Sequence, residues 1–125
     1  MTPKEIALQA AATLDLHKAA GIRAVDVRGI SGVTDYCVVA SGTSAPHLKA
    51  LFSHVQEKMR ELGEKSHRKS GLPESGWVIL DFIHVVVHLF APEARAYYNI
   101  EKLWQDGKDF PLTGRRETTK TGLQD

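Results

Sequence analysis

Six histidines, one cysteine and fifteen carboxylates are the side chains of this sequence with the most reactive chemistry. Metal binding is the first chemistry to test. His84 and His88 are four apart in a stretch that reads as strand, which sets their backbones ~13 Å apart. His47 and His54 are seven apart on a helical pattern, about two turns or ~10 Å. Neither pair can chelate one ion alone, and no Cys/His or Asp/Glu ligand spacing joins them. The histidines therefore read as surface or interface groups, and no metal or other cofactor is expected. Cys37 lies between Tyr36 and Val38, with no activating charge beside it. It reads as a small buried hydrophobe, not a nucleophile.

The Ser41-Gly42-Thr43-Ser44 turn follows a strand pattern and opens a helix, a place where phosphate binds. It carries neither a Gly-x-Gly-x-x-Gly nor a Walker lysine pattern. It faintly resembles the Gly-Ser turn of nucleotidyltransferases, which hold two magnesium ions on closely spaced aspartates of a following strand. The corresponding segment here, Phe52 to Met59, has no Asp-x-Asp or Asp-x-Glu. The turn thus reads as a structural cap, and no catalytic residue is expected. The basic cluster Lys65, His67, Arg68 and Lys69 lacks interleaved aromatics and is weak support for RNA binding. Trp77, Tyr97, Tyr98 and Trp104 fall at the edges of predicted elements, and partly exposed aromatics mark protein interfaces more than catalytic sites.

The elements that position these residues follow from periodicity. Thr2, Pro3 and Glu5 form a helix start with a capping box. Ile6, Ala7, Ala10, Ala11 and Leu14 then repeat at helical spacing, and Gly21 is the expected stop. Residues 24–28 alternate as a half-buried strand. Residues 35–40 are nearly all apolar, which suits a strand buried on both faces. Leu48, Leu51, Phe52, Val55, Met59 and Leu62 give the strongest helical stripe, ended by Gly63. Residues 64–76 are polar and hold a short edge strand and a loop. The apolar run 77–90 exceeds a usual strand of about five or six residues, so it must bend, near Phe82-Ile83-His84. That bend lacks Gly, Asn or Asp. Pro92 and Glu93 start a last helix that runs through Tyr98 to Trp104 before Gly107.

The whole is 125 residues with 42% hydrophobic content, enough for one core. We expect a single domain over 1–107 and a polar, flexible C-terminal tail over 108–125. The strand-turn-helix order predicts an α/β architecture. Sixteen basic against fifteen acidic residues disfavour a bulk nucleic-acid binder and an electrostatic membrane-surface protein. A single cysteine fits a reducing compartment, and the N-terminus has no signal-peptide pattern. A cytoplasmic location is expected.

Three segments together resemble the ribosomal silencing factor, or Iojap, family. The first is Asp35 to Ser44 with His47. The second is Trp77 to Asp81 continuing through Val85 to Phe90. The third is Arg95, Tyr98, Glu101, Leu103 and Trp104, as in the family's closing Arg-x-x-Tyr-x-x-Glu-x-Leu-Trp pattern. The matching stretches cover most of residues 5–107. Ile83-His84 stands where the family usually has Gly-Asp, and Glu74-Ser75-Gly76 only partly matches its acidic-glycine element.

The resemblance implies a mixed sheet of about five strands with flanking helices, similar to a degenerate nucleotidyltransferase. It implies a non-enzymatic factor, often a homodimer. Such a factor binds the large ribosomal subunit through its protein fourteen at the intersubunit face. There it blocks subunit joining and represses translation when nutrients are short. No membrane and no sequence-specific nucleic acid is implied as a partner. The alternatives are a nucleotidyltransferase-like enzyme or an RNA-binding module acting in large-subunit assembly. Trp77, Ile79 and Asp81 alternate onto one face of their strand. Val85 and Val87 are expected beside them, with Tyr98, Leu103 and Trp104 extending the patch. Asp81 is the expected partner for a basic ribosomal protein.

Overall fold

Helix α1 (Pro3–Leu16) begins at the expected capping box: Thr2 Oγ1 accepts from the Glu5 N–H at 3.1 Å, and Glu5 Oε1 accepts from the Thr2 N–H at 2.7 Å. The structure, a computed structural model, describes residues 1–109. Gly21 is not the stop of this helix. The chain turns at His17 and Lys18, with Lys18 at a left-handed φ of 69°. Gly21 belongs instead to β1 (Ala20–Asp26), in the irregular stretch between Ala20 and Arg23 where the register with the next strand shifts. A Cβ on Gly21 would lie 2.7 Å from Arg95 Nη1. Gly21 also sits at φ 58°, the left-handed region that favours glycine, beside a side chain that arrives from 74 residues away.

Strand β2 (Tyr36–Ser41) is buried along its length, as its unbroken apolar run predicts. Helix α2 (Ala45–Glu61) follows, with Ser44 Oγ capping the His47 N–H at 3.1 Å, and it buries Leu48, Leu51, Val55 and Met59. Next comes β3 (Arg68–Leu72), the expected edge strand, exposed throughout. Strands β4 (Trp77–Asp81) and β5 (Val85–Phe90) form a hairpin. Helix α3 (Pro92–Tyr98) is shorter than the sequence predicts. Asn99 adopts φ 46°, donates its N–H to the Arg95 carbonyl at 3.0 Å, and redirects the chain into a 3-10 turn over Ile100–Trp104. Asparagine tolerates the left-handed region that ends helices.

The sheet order is β3-β4-β5-β2-β1-β6, with β2 and β5 parallel and the other pairs antiparallel. The sixth strand, β6 (Lys108–Asp109), pairs with Val25 and Asp26. Two residues expected in the tail thus belong to the sheet. The rest of that expected tail, with Phe110 and Leu112, lies outside the described residues. No helix among the described residues is long and apolar enough to cross a membrane.

The hairpin corrects one expectation about the site. Its bend takes two residues, Ile83-His84, because Phe82 N–H bonds the Val85 carbonyl at 2.8 Å. Asp81 therefore faces Val86, and Ile79 faces His88. A one-residue difference in register moves every side chain of a strand to the other face. Val85 and Val87, expected beside Trp77 and Ile79, point instead into the core under α1 and α2 and are fully buried. Ile83 sits at φ 76°, the first loop position that such hairpins favour for glycine. The Asp81 carboxylate holds it there, accepting the Ile83 N–H at 2.7 Å.

The sheet has two unlike faces. One is closed by α1 and α2 over Ile22, Ala24, Val38, Ala40, Val78, Leu80, Val87 and Leu89. The other carries a smaller cluster of Val25, Val27, Cys37, Val39 and Phe90 beneath Trp104. Only part of this second face has a helical cover.

A candidate docking groove on the open sheet face

Alternation sends Trp77, Ile79 and Asp81 of β4 and Val86, His88 and Phe90 of β5 to the second face. Beside them rises the 3-10 turn, with Ile100, Leu103 and Trp104. All of these except the fully buried Phe90, together with Arg68 and Ser70 of β3 and with Thr34 and Cys37, line an open groove of about 420 Å³. Trp77, Ile79, Asp81, Val86 and His88 are all half-buried, so each keeps surface for contact. Tyr98 is 49% exposed and Leu103 is 72% exposed. Of the expected patch, Trp77, Ile79, Asp81 and Leu103 do lie together on the groove, with Tyr98 adjoining through Trp77. Trp104 lines the groove but is only 7% exposed, because it roofs the second cluster. Tyr97, on the far side of Tyr98, is 82% exposed.

Aromatic rings form the groove's inner end. Trp77 stacks on Phe90 with centroids 5.0 Å apart and leans on Tyr98 at 4.7 Å. His88 lies among Trp77, Phe90 and Trp104 at 6.0, 6.3 and 5.7 Å. The Trp77 indole N–H donates to His88 Nδ1 at 3.2 Å. Burial pushes the His88 pKa down to about 4, against a smaller opposing pull from the Asp81 charge. His88 is therefore neutral near pH 7. Indole nitrogen is only a donor, so Nδ1 is the acceptor and the ring proton is on Nε2. The Thr34 hydroxyl, on the groove wall, is buried without a hydrogen-bond partner. Cys37 lines the same wall, and burial pushes its thiol up to about 12. It is thus an unreactive thiol at neutral pH.

A charged brace holds the cover of this face in place. Arg95 donates from Nε to Glu101 Oε1 at 2.8 Å, from Nη1 to Ser41 Oγ at 3.0 Å and from Nη2 to the Gly21 carbonyl at 2.8 Å. Arg23 reaches Glu101 Oε2 at 2.7 Å and Asp109 Oδ1 at 2.8 Å. The Arg95 hydrogen bond, with Arg23 adding to it, holds the Glu101 carboxyl below its usual range. Sequence reading singled out Arg95 and Glu101 only as parts of a pattern. Their task is to clamp α3 and the 3-10 turn onto β1 and β2, and so to set Leu103 and Trp104 against the groove. The Arg-x-x-x-x-x-Glu spacing was the available signal, but nothing local says that Gly21, Arg23 and Ser41 complete it.

The histidines are mostly internal fasteners. His47 Nδ1 accepts the Thr43 N–H at 2.9 Å and its Nε2 meets the His17 carbonyl at 3.0 Å, while His17 and His54 stack at 3.5 Å. His84 pairs with Asp35 at 3.1 Å. Among the described residues no group of three or more His, Cys, Asp or Glu is placed to hold a metal ion.

Comparison with known proteins adds to this geometry. The sequence model of a family described as ribosomal silencing factor during starvation matches residues 1–124. That match runs past Gly107, where the motif resemblance stops. The ribosomal silencing factor RsfS of Bacillus subtilis is 39% identical over 106 residues, covering 85% of this chain and 90% of the relative. A mouse protein, mitochondrial assembly of ribosomal large subunit protein 1, is 38% identical over 74 residues, covering 57% of this chain and 32% of its own. A crystal structure of a protein from Chromobacterium violaceum superposes with a TM-score of 0.81 at 33% identity, covering 90% of this chain and 93% of that one.

Proposed function

The chain belongs to the ribosomal silencing factor family, and from that premise we propose that it binds the large ribosomal subunit through its protein fourteen. Seated at the intersubunit face, it blocks joining of the small subunit and represses translation under nutrient limitation. It works in the cytoplasm by occupancy, without catalysis, and the homodimer expected of the family is part of the same reading.

The observation that carries this reading is the open half of the second sheet face. There Trp77, Ile79 and Asp81 share one groove with Leu103. An apolar strip with one carboxylate suits a basic ribosomal protein. One Asp81 oxygen holds the turn, which leaves the other for a partner's lysine or arginine. A desolvated pair of that kind contributes on the order of 1–3 kcal/mol. The balanced charge of the chain agrees with docking on protein instead of gripping RNA.

Co-sedimentation with purified bacterial ribosomal subunits tests it. The protein should travel with free large subunits and reduce the joined ribosome peak. The double variant Trp77→Ala, Asp81→Lys should lose both effects. Unchanged co-sedimentation of that variant would place the contact elsewhere, and loss only on neutralising Lys65, Arg68 and Lys69 would favour an RNA contact.

A further inference from the structure

We infer that His88 is a hydrogen-bond donor to the docked partner: its Nε2–H, fixed in that tautomer by the Trp77 indole, receives a neutral main-chain carbonyl oxygen of the protein segment that fills the groove. This rests on the docking reading above and specifies the chemistry that the groove selects.

The geometry leaves His88 one way to use its second nitrogen. Nδ1 is taken by the Trp77 N–H at 3.2 Å. No acceptor among the described residues takes the Nε2–H, and that nitrogen is not sealed from solvent as the Thr34 hydroxyl is. His88 lines the groove. Water satisfies the donor while the groove is open. When an apolar segment expels that water, the donor must find an acceptor or its desolvation cost remains. A partner without an oxygen at that position is therefore rejected, the asymmetry by which buried polar groups give specificity.

The charges nearby decide what kind of oxygen fits. Asp81 on β4 acts on His88 electrostatically, and it would repel a carboxylate or a phosphate brought to the ring. Arg68 on β3 stands in register with Asp81, at the groove's outer rim. The rings of Trp77, Phe90 and Trp104 surround the imidazole. A neutral acceptor suits this setting, and an extended segment laid along β4 and β5 offers backbone carbonyls at regular intervals. Trp77 thus has two tasks: it presents a ring to the partner, and it positions the His88 proton.

Two measurements test this. Nitrogen-detected NMR of the imidazole in the free protein should find His88 as the Nε2–H tautomer at neutral pH, and Trp77→Phe should convert it to a mixture. Binding to purified bacterial large ribosomal subunits should weaken about tenfold (about 1.4 kcal/mol) in His88→Met, which is similar in length but has no donor. His88→Gln, which places an amide N–H near the Nε2 position, should stay within about threefold of wild type. An Nδ1–H tautomer in the free protein would overturn the inference without any ribosome. So would subunit binding that His88→Met leaves intact while the wild type binds. Equal losses in Met and Gln variants of unchanged thermal stability would also overturn it. A wild-type chain that ignores large subunits would instead sink the docking reading, and the inference with it.

Discussion

The two faces of one sheet are built from different chemistry. Under α1 and α2, the strands present Val38, Leu80, Val85, Val87 and Leu89, all fully buried aliphatics. On the other face, the same β4 and β5 present Trp77, Ile79, Asp81, Val86 and His88, half-buried and rich in polar edges. A closed face needs volume and tolerates no unsatisfied group. An open face can keep polar groups whose bonds are completed by water or by a partner. The contrast separates residues that hold the fold from residues that meet something else, even where they are neighbours in sequence.

That contrast can be broken most strongly at adjacent positions of β4. Leu80→Ala should destabilise the fold by about 3 kcal/mol, the usual cost of a cavity in a packed core. Ile79→Ala, one residue away, should cost under about 1 kcal/mol, since its site is open to solvent. Denaturant titration of the two variants reads the difference, and equal losses would erase the distinction between faces.

Acid tests the open face next. Burial keeps the folded His88 pKa near 4, below the ordinary value of about 6.5. The neutral ring therefore contributes fully above about pH 6.5, and its contribution is lost as pH falls toward 4. The shift corresponds to about 3 kcal/mol. Stability measured across that window should fall less steeply in His88→Gln. Glu101 adds a separate loss at lower pH, because its folded pKa is lowered from 4.5.

Arg95→Ala removes the brace and leaves Glu101 with Arg23 as its one remaining guanidinium partner. A cost of about 2 kcal/mol is expected for lost charge-assisted bonds, read as a lower Tm. Cleavage by a protease should become faster around the 3-10 turn than in α1. The smallest effect should be a gain: Ile83→Gly relieves a β-branched residue at φ 76° and should raise stability by up to about 1 kcal/mol.

Much of this was legible in the residues. The capping box, the α2 stripe, the buried β2 run and the β4 alternation each depend on neighbours within a few positions, and each appears where periodicity places it. The groove was half legible. Trp77, Ile79 and Asp81 share a face by strict alternation. Val85-Val86-Val87 has no polar residue to mark its phase, so a bend read as three residues put the wrong valines beside them. His88 was visible as a residue, but its tautomer depends on Trp77, eleven positions away. Gly21 looked like a helix stop, but its left-handed φ of 58° belongs to the irregular start of β1, and its neighbour Arg95 comes from far along the chain.

The balance of charge, the order of elements and the motifs of the family were thus determined by the sequence itself, because local patterns and composition carry them. The tertiary structure alone decided which face closes, where the hairpin register falls and what the Arg95 brace holds. Those outcomes depend on hydrogen bonds and packing between segments far apart in the chain, and a two-residue turn is enough to exchange one side of a strand for the other.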